Sequence, residues 1–191
     1  MTGRSSEALT EIDRAQALDP ASTSILADKG DLLLLAGRLP ESLSLLQKME
    51  ATEPKFVSPP RYLKYVYYAR GDYPEFLAEW RKEAVLLNDT SMLAMVTAAE
   101  KGFAAGGVRG MLTATGRAQE KMYAKHLVSP YDLARTYAEL NDRPAMFRYL
   151  NLAYGRHDTG LIAVKVDKAF DGVRDDAAYR DLIARMGFQE N

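Results

Sequence analysis

The chain has 191 residues, 47% hydrophobic and 27% charged, with a formal net charge of −1 and no cysteine. That balance supplies no general basic surface for a nucleic-acid backbone, and it excludes disulfides, thiolate metal sites and cysteine nucleophiles. The longest apolar run, Leu32 to Ala36, falls far short of the ~20 residues that span a bilayer, and the polar N-terminus is not a signal peptide.

The first predicted element is "GRSSEALTEIDRAQALDP", a turn at Gly3 followed by an amphipathic helix that stops at Pro20. It reads as the second half of a two-helix unit, residues 1–22, whose first half lies upstream. A larger parent protein is therefore expected, with self-association through the uncovered N-terminal edge. Adding 34 to each position takes Gly3 to Gly37, Arg4 to Arg38, Glu7 to Glu41, Ala8 to Ser42, Ile12 to Leu46, Ala15 to Met49 and Pro20 to Pro54. A further step of 34 reaches Gly71, Glu75, Trp80 and Asn88. A fixed period of this length marks a repeat architecture.

The unit over 23–56 shows why it folds as two helices. Leu26, Gly30 and Leu33 share one helical face, and Gly37 ends that helix because glycine enters the left-handed region cheaply. Pro40 sits in the first turn of the next helix, where its missing N–H costs nothing, and Leu43, Leu46 and Met49 form its apolar stripe. Gly30 and Ser42 are small enough for the two backbones to approach closely. The unit over 57–90 repeats the plan, with Tyr67, Gly71, Phe76 and Trp80 at the expected core positions. Gly71 to Asn141 is 70 residues, two periods plus two, so the unit over 91–126 carries a two-residue insertion, expected at Gly106 and Gly107. Over 127–160, Ala134 is the small position, Tyr137 the large one, Asn141 replaces the turn glycine, and Met146, Leu150 and Ala153 follow. The remainder, 161–191, reads as a cap: "LIAVKVD" packs on the last pair, "FDGVRDD" turns, and Asp175 or Asp176 caps a helix from Ala177 to Met186.

This spacing resembles the tetratricopeptide repeat from residue 3 to about residue 160. The resemblance implies an all-α, right-handed superhelix of stacked helix pairs with a C-terminal capping helix, first helices lining a concave groove and second helices forming the convex back. A narrower resemblance covers 160–188, "GLIAVKVDKAFDGVRDDAAYRDLIARMGF". It is similar to the end of the tetratricopeptide tails of certain bacterial multidomain regulators, matching at Val166, Asp167, Phe170, Asp171, Arg174, Leu182, Met186 and Gly187. Lys168 and Gly172 depart from it, standing where those tails carry proline, and Tyr179 replaces phenylalanine. Such tails follow a winged-helix DNA-binding domain, a protein kinase or a nucleotide cyclase.

No catalytic constellation emerges. His126 and His157 are isolated and read as surface or helix-end residues, and "GGVRG" (106–110) lacks the Lys-Ser/Thr ending of a phosphate loop. Gly110 and Gly116 inside a helix imply either close helix packing or a local irregularity. No enzyme activity, cofactor or metal is expected. The resemblance places the groove at Arg61, Tyr62, Tyr65 and Tyr68 in the third unit, at Met95, Val96, Ala99 and Phe103 in the fourth, and at Tyr131, Asp132, Arg135 and Glu139 in the fifth. In the second unit it falls on Ala27, Asp28, Asp31 and Leu34. Ala27, Asp31 and Tyr62 occupy positions where a carboxylate clamp needs Lys and Asn, so clamp activity is not expected. Tyrosine combines large contact area with a hydroxyl, which suits a protein or peptide partner in the groove.

The expected function is therefore a non-enzymatic interaction module, the regulatory tail of a bacterial winged-helix transcriptional regulator whose DNA-binding domain lies outside this chain. The alternatives are the same tail on a kinase or cyclase, and a stand-alone adaptor. No nucleic-acid contact by this region is expected. A cytoplasmic location is favoured, with the periplasm as the alternative for a membrane-anchored parent.

Overall fold

The computed structural model describes residues 2–187; Met1 and 188–191, including Phe188 at the end of the expected cap, lie outside the described residues. The described residues form helices and no strand. They run α1 (Thr2–Leu18), α2 (Thr23–Leu35), α3 (Leu39–Thr52), α4 (Ser58–Arg70), α5 (Tyr73–Leu86), α6 (Thr90–Tyr123), α7 (Pro130–Glu139), α8 (Arg143–Gly155), two 3-10 turns (Thr159–Ala163 and Lys168–Val173) and α9 (Ala177–Arg185). No helix among them is long and apolar enough to cross a membrane. The chain divides into two compact units, 1–96 and 97–191.

Helix boundaries follow local chemistry. Ser129, Asp142 and Asp176 accept from backbone N–H groups of the first turns of α7, α8 and α9, which supplies donors that have no partner within the helix. Proline occupies the first turn of α3, α4, α5, α7 and α8. At the far ends the backbone turns left-handed. Gly37, Gly71 and Asn141 have φ of 77°, 81° and 58°, and Asn88, His126 and His157 lie between 52° and 59°. At all six the residue's own N–H and that of the residue after it fold back on the helix, as in Gly37 N to Leu34 O and Arg38 N to Leu33 O, both 2.9 Å. Both histidines thus close helices.

In the first unit α2 packs against α1, α3 and α4, and α4 against α3 and α5. Its core joins Ala27, Leu46, Met49, Leu63 and Val66. The small pair Gly30 and Ser42 meets as expected, with the Ser42 hydroxyl donating to the Gly30 carbonyl at 2.7 Å in a buried setting. The third pair is built differently from its expected core. Tyr67, Phe76 and Trp80 are only half-buried, while Leu63, Val66 and Leu77 are buried. A ring at the edge of a two-helix layer keeps one side in water, whereas the smaller aliphatics fit between the backbones. Gly3 lies inside α1, which begins at Thr2, and is not a turn residue.

In the second unit α6 is broken at Gly106 (φ −155°, ψ 27°) and Gly107 (φ 58°, ψ −147°), where the sequence places its two-residue insertion. The two arms fold back so tightly that a Cβ built on Gly102 would lie 2.4 Å from the Gly110 carbonyl oxygen. Beyond it, α7 and α8 pack together and carry the two 3-10 turns and α9. Tyr131, Leu133, Met146, Leu150, Phe170, Tyr179 and Leu182 belong to one buried cluster, so the C-terminal segment closes the core of the last helix pair.

Candidate protein-interaction site

The eight candidate residues divide between the units, Arg61, Tyr62, Tyr65, Tyr68 and Met95 in the first and Tyr131, Asp132 and Arg135 in the second. In the first unit α2 and α4 lie side by side, and the Tyr62 hydroxyl bridges them by donating to Asp28 Oδ1 at 3.0 Å. Burial, then the bond to Asp28, pushes the Tyr62 phenol up to about 12, so it stays a neutral donor. Asp31, one turn beyond Asp28, is half-buried, and burial followed by repulsion from Asp28 raises its carboxyl above the usual range. Neither aspartate has a cationic partner among the described residues. The neighbouring Lys29 is drawn to Asp13 at 2.7 Å, and Arg61 to Glu83 at 2.9 Å.

Tyr65, one helical turn from Tyr62, keeps 42% of its surface exposed, with the Lys64 ammonium 4.9 Å from its ring centroid. Tyr68 stands apart from this strip. Its ring meets Tyr73 and Phe76 edge-on at 5.5 and 5.1 Å, so it joins α4 to α5. Met95 is half-buried. Three groove expectations fail, Ala27 and Val96 in this unit and Ala99 in the second: all three are buried, because small or β-branched side chains at these positions fill the helix contacts.

In the second unit the C-terminal segment takes up most of the expected surface. Tyr131 is only 5% exposed, and its hydroxyl donates to Asp167 Oδ2 at 3.0 Å while its ring packs on Gly160 and Phe170. It is a core residue of the cap, not an open groove residue. Arg135 Nε lies 2.6 Å from Asp167 Oδ2, at an angle that makes the contact an ion pair without an aligned hydrogen bond. Asp132 remains exposed but serves the start of α7, its carboxylate accepting from the Ser129 hydroxyl at 3.1 Å. Glu139 is pushed up to about 7 by burial and by the charge of Asp167.

Several polar residues that sequence reasoning passed over are central. Glu83, fully buried, accepts from Lys64, itself buried, and from Arg61. Glu120 accepts from the Tyr137 and Tyr149 hydroxyls at 2.8 and 3.0 Å, and those two rings stack 5.6 Å apart. The available signal for Glu79 and Glu83 was their i,i+4 spacing along the helix, but a carboxylate at such a position ordinarily faces water. No group of three or more His, Cys, Asp or Glu able to hold a metal ion occurs among the described residues. No family model, curated protein or solved structure matches the chain.

Proposed function

We propose that the chain is a tetratricopeptide-type interaction module whose α2–α4 face binds a protein or peptide segment bearing a lysine or arginine side chain. The observation that carries this reading is the exposed Tyr65 ring one turn from Tyr62, on a helix bridged to Asp28, with Asp31 one turn beyond it and no cationic partner for either carboxylate among the described residues. A cation brought by a partner would relieve the repulsion between the aspartates and meet the electron-rich ring face. Support for the repeat comes from Gly37, Gly71, Gly107 and Asn141, positive-φ residues spaced 34, 36 and 34 apart, three of them at helix ends and Gly107 at the break in α6.

In this reading the helix pairs stack into a right-handed superhelix and perform no chemistry. The module serves as the regulatory tail of a winged-helix transcriptional regulator, and its partner passes a signal to a DNA-binding domain outside the chain. Partners retained by the wild type are identified by mass spectrometry, purified and titrated calorimetrically. Tyr65→Ala weakens binding about 10-fold or more, as loss of an aromatic anchor does, and Asp31→Asn weakens it and flattens its salt dependence. Equal affinity for wild type and both variants, with unchanged helicity, refutes the α2–α4 face.

A further inference from the structure

One charged cluster lies outside that face. On α5, Glu79 is 5% exposed, and its Oε2 is buried without a hydrogen-bond donor. Lys82, one turn on, places its Nζ 2.8 Å from Glu79 Oε1 and 2.9 Å from Glu50 Oε1 on α3. Lys82 thus draws the two carboxylates to one ammonium, and the Glu50 charge opposes ionisation of Glu79. Two carboxylates drawn to one ammonium repel unless one of them carries a proton, because a single ammonium cannot neutralise both.

Other charges nearby are already committed. Glu83, the next carboxylate along α5, is held by Lys64 and Arg61 of α4. Residues 90–96, which complete the unit, carry no charged side chain. Glu50 from α3 and Lys82 from α5 itself are the groups that act on Glu79.

We propose that Glu50, Glu79 and Lys82 form a proton-operated clasp between α3 and α5. With one proton shared by the two carboxyls, the helices are tied together. Without it, two carboxylates compete for one ammonium, and the contact slackens. The chemistry is reversible protonation of the Glu79 carboxyl, which donates to Glu50. The clasp thereby makes the cohesion of successive helix pairs sensitive to pH, independently of what the α2–α4 face binds.

The direction of the effect follows from burial. Burial, opposed by Lys82 and reinforced by Glu50, pushes Glu79 up to about 7. The unfolded chain releases the same proton near the ordinary glutamate value of ~4.3. The clasp's stabilisation is therefore complete below that value and is lost as pH rises through about 7.

The test is a carbon-13 NMR titration of the full chain, with the Glu79 carboxyl signal assigned by its loss in E79Q, together with amide exchange in α3 and α5. Glu79 is expected to titrate with a midpoint near 7. After correction for intrinsic base catalysis, protection in α3 and α5 should fall several-fold between about pH 5.5 and about pH 8. In E79Q, where a carboxamide cannot ionise, that fall should disappear. In E50Q the new carboxamide donates to Glu79, so the Glu79 midpoint should drop towards the ordinary range; this variant decides the matter if E79Q does not fold. A wild-type midpoint below about 5.5, or a loss of protection that persists in E79Q, overturns the clasp.

Discussion

Alanine at Gly102 and at Gly116 should change stability in opposite directions, although the two exchanges are chemically identical and both sit in α6. In an unstrained helix interior, glycine to alanine contributes about 0.5–1 kcal/mol through helix propensity and the reduced freedom of the unfolded chain. At Gly116 the new methyl would meet Thr136 Cγ2 at 3.5 Å and Tyr137 at 3.7 Å, ordinary contact distances. The full gain should therefore appear. At Gly102 the methyl would lie 2.4 Å from the Gly110 carbonyl oxygen and 2.7 Å from Ala114 Cβ. Those obstacles are backbone and a Cβ, which have no rotamer to adopt, so the two arms of α6 must move apart by roughly 1 Å. Overpacking of this kind costs about 1–3 kcal/mol, which outweighs the propensity gain. The net expectation is that Gly102→Ala loses up to about 2 kcal/mol while Gly116→Ala gains up to about 1 kcal/mol. Each kcal/mol corresponds to about 4–8 °C in a unit of this size. Urea and thermal unfolding by circular dichroism measure both variants against the wild type. A Gly102→Ala protein at least as stable as the wild type would refute the close approach of the two arms, and a destabilised Gly116→Ala would refute the room for a methyl beside Thr136 and Tyr137.

Two further outcomes test the helix ends and the cap. Asn141 has a φ of 58°, so Asn141→Ala should lose about 1 kcal/mol while Asn141→Gly loses nothing, measured by urea unfolding; equal losses would mean that the Asn141 side chain, not its backbone, matters. Phe170 is fully buried between Tyr131 and Tyr179, and Phe170→Ala should cost about 3–5 kcal/mol. Hydrogen exchange should then show α9 released before α7 and α8, and a uniform loss of protection would argue against a separable cap.

Much of the local structure was legible because it depends on near neighbours in the chain. A glycine or asparagine two residues before a proline-started helix predicts a left-handed helix end, and Gly37, Gly71 and Asn141 are such ends. The small pair Gly30 and Ser42, 12 residues apart, was readable because a tight two-helix unit fixes which positions face each other. The candidate surface was legible only in part. Tyr62 and Tyr65 lie where helical register puts them, on α4 beside α2. Tyr131 and Arg135 stand on α7 at the positions of Arg61 and Tyr65, yet the chain folds back and covers them with Asp158, Gly160, Asp167 and Phe170. Helical periodicity tells which residues share a face but not what lands on it.

The sequence by itself determined the all-helical character, the alternation of helices and turns, the break at Gly106 and Gly107, and the start of the last helix at Ala177, because each rests on propensity, capping or period within a few residues; the structure picks Asp176 over Asp175 as its cap. Only the tertiary structure decided which polar groups are buried. Glu79 and Glu83 are buried because α4 packs beside α5 and supplies Lys64 and Arg61 to Glu83, while Glu50 of α3 shares Lys82 with Glu79. A charge's protonation depends on the dielectric and the partners around it, and those come from residues that are distant in the chain. The opening helix shows the same division. Its amphipathic pattern predicted a helix over most of Thr2–Leu18, but that α2 is the helix it packs against is a fact of the fold.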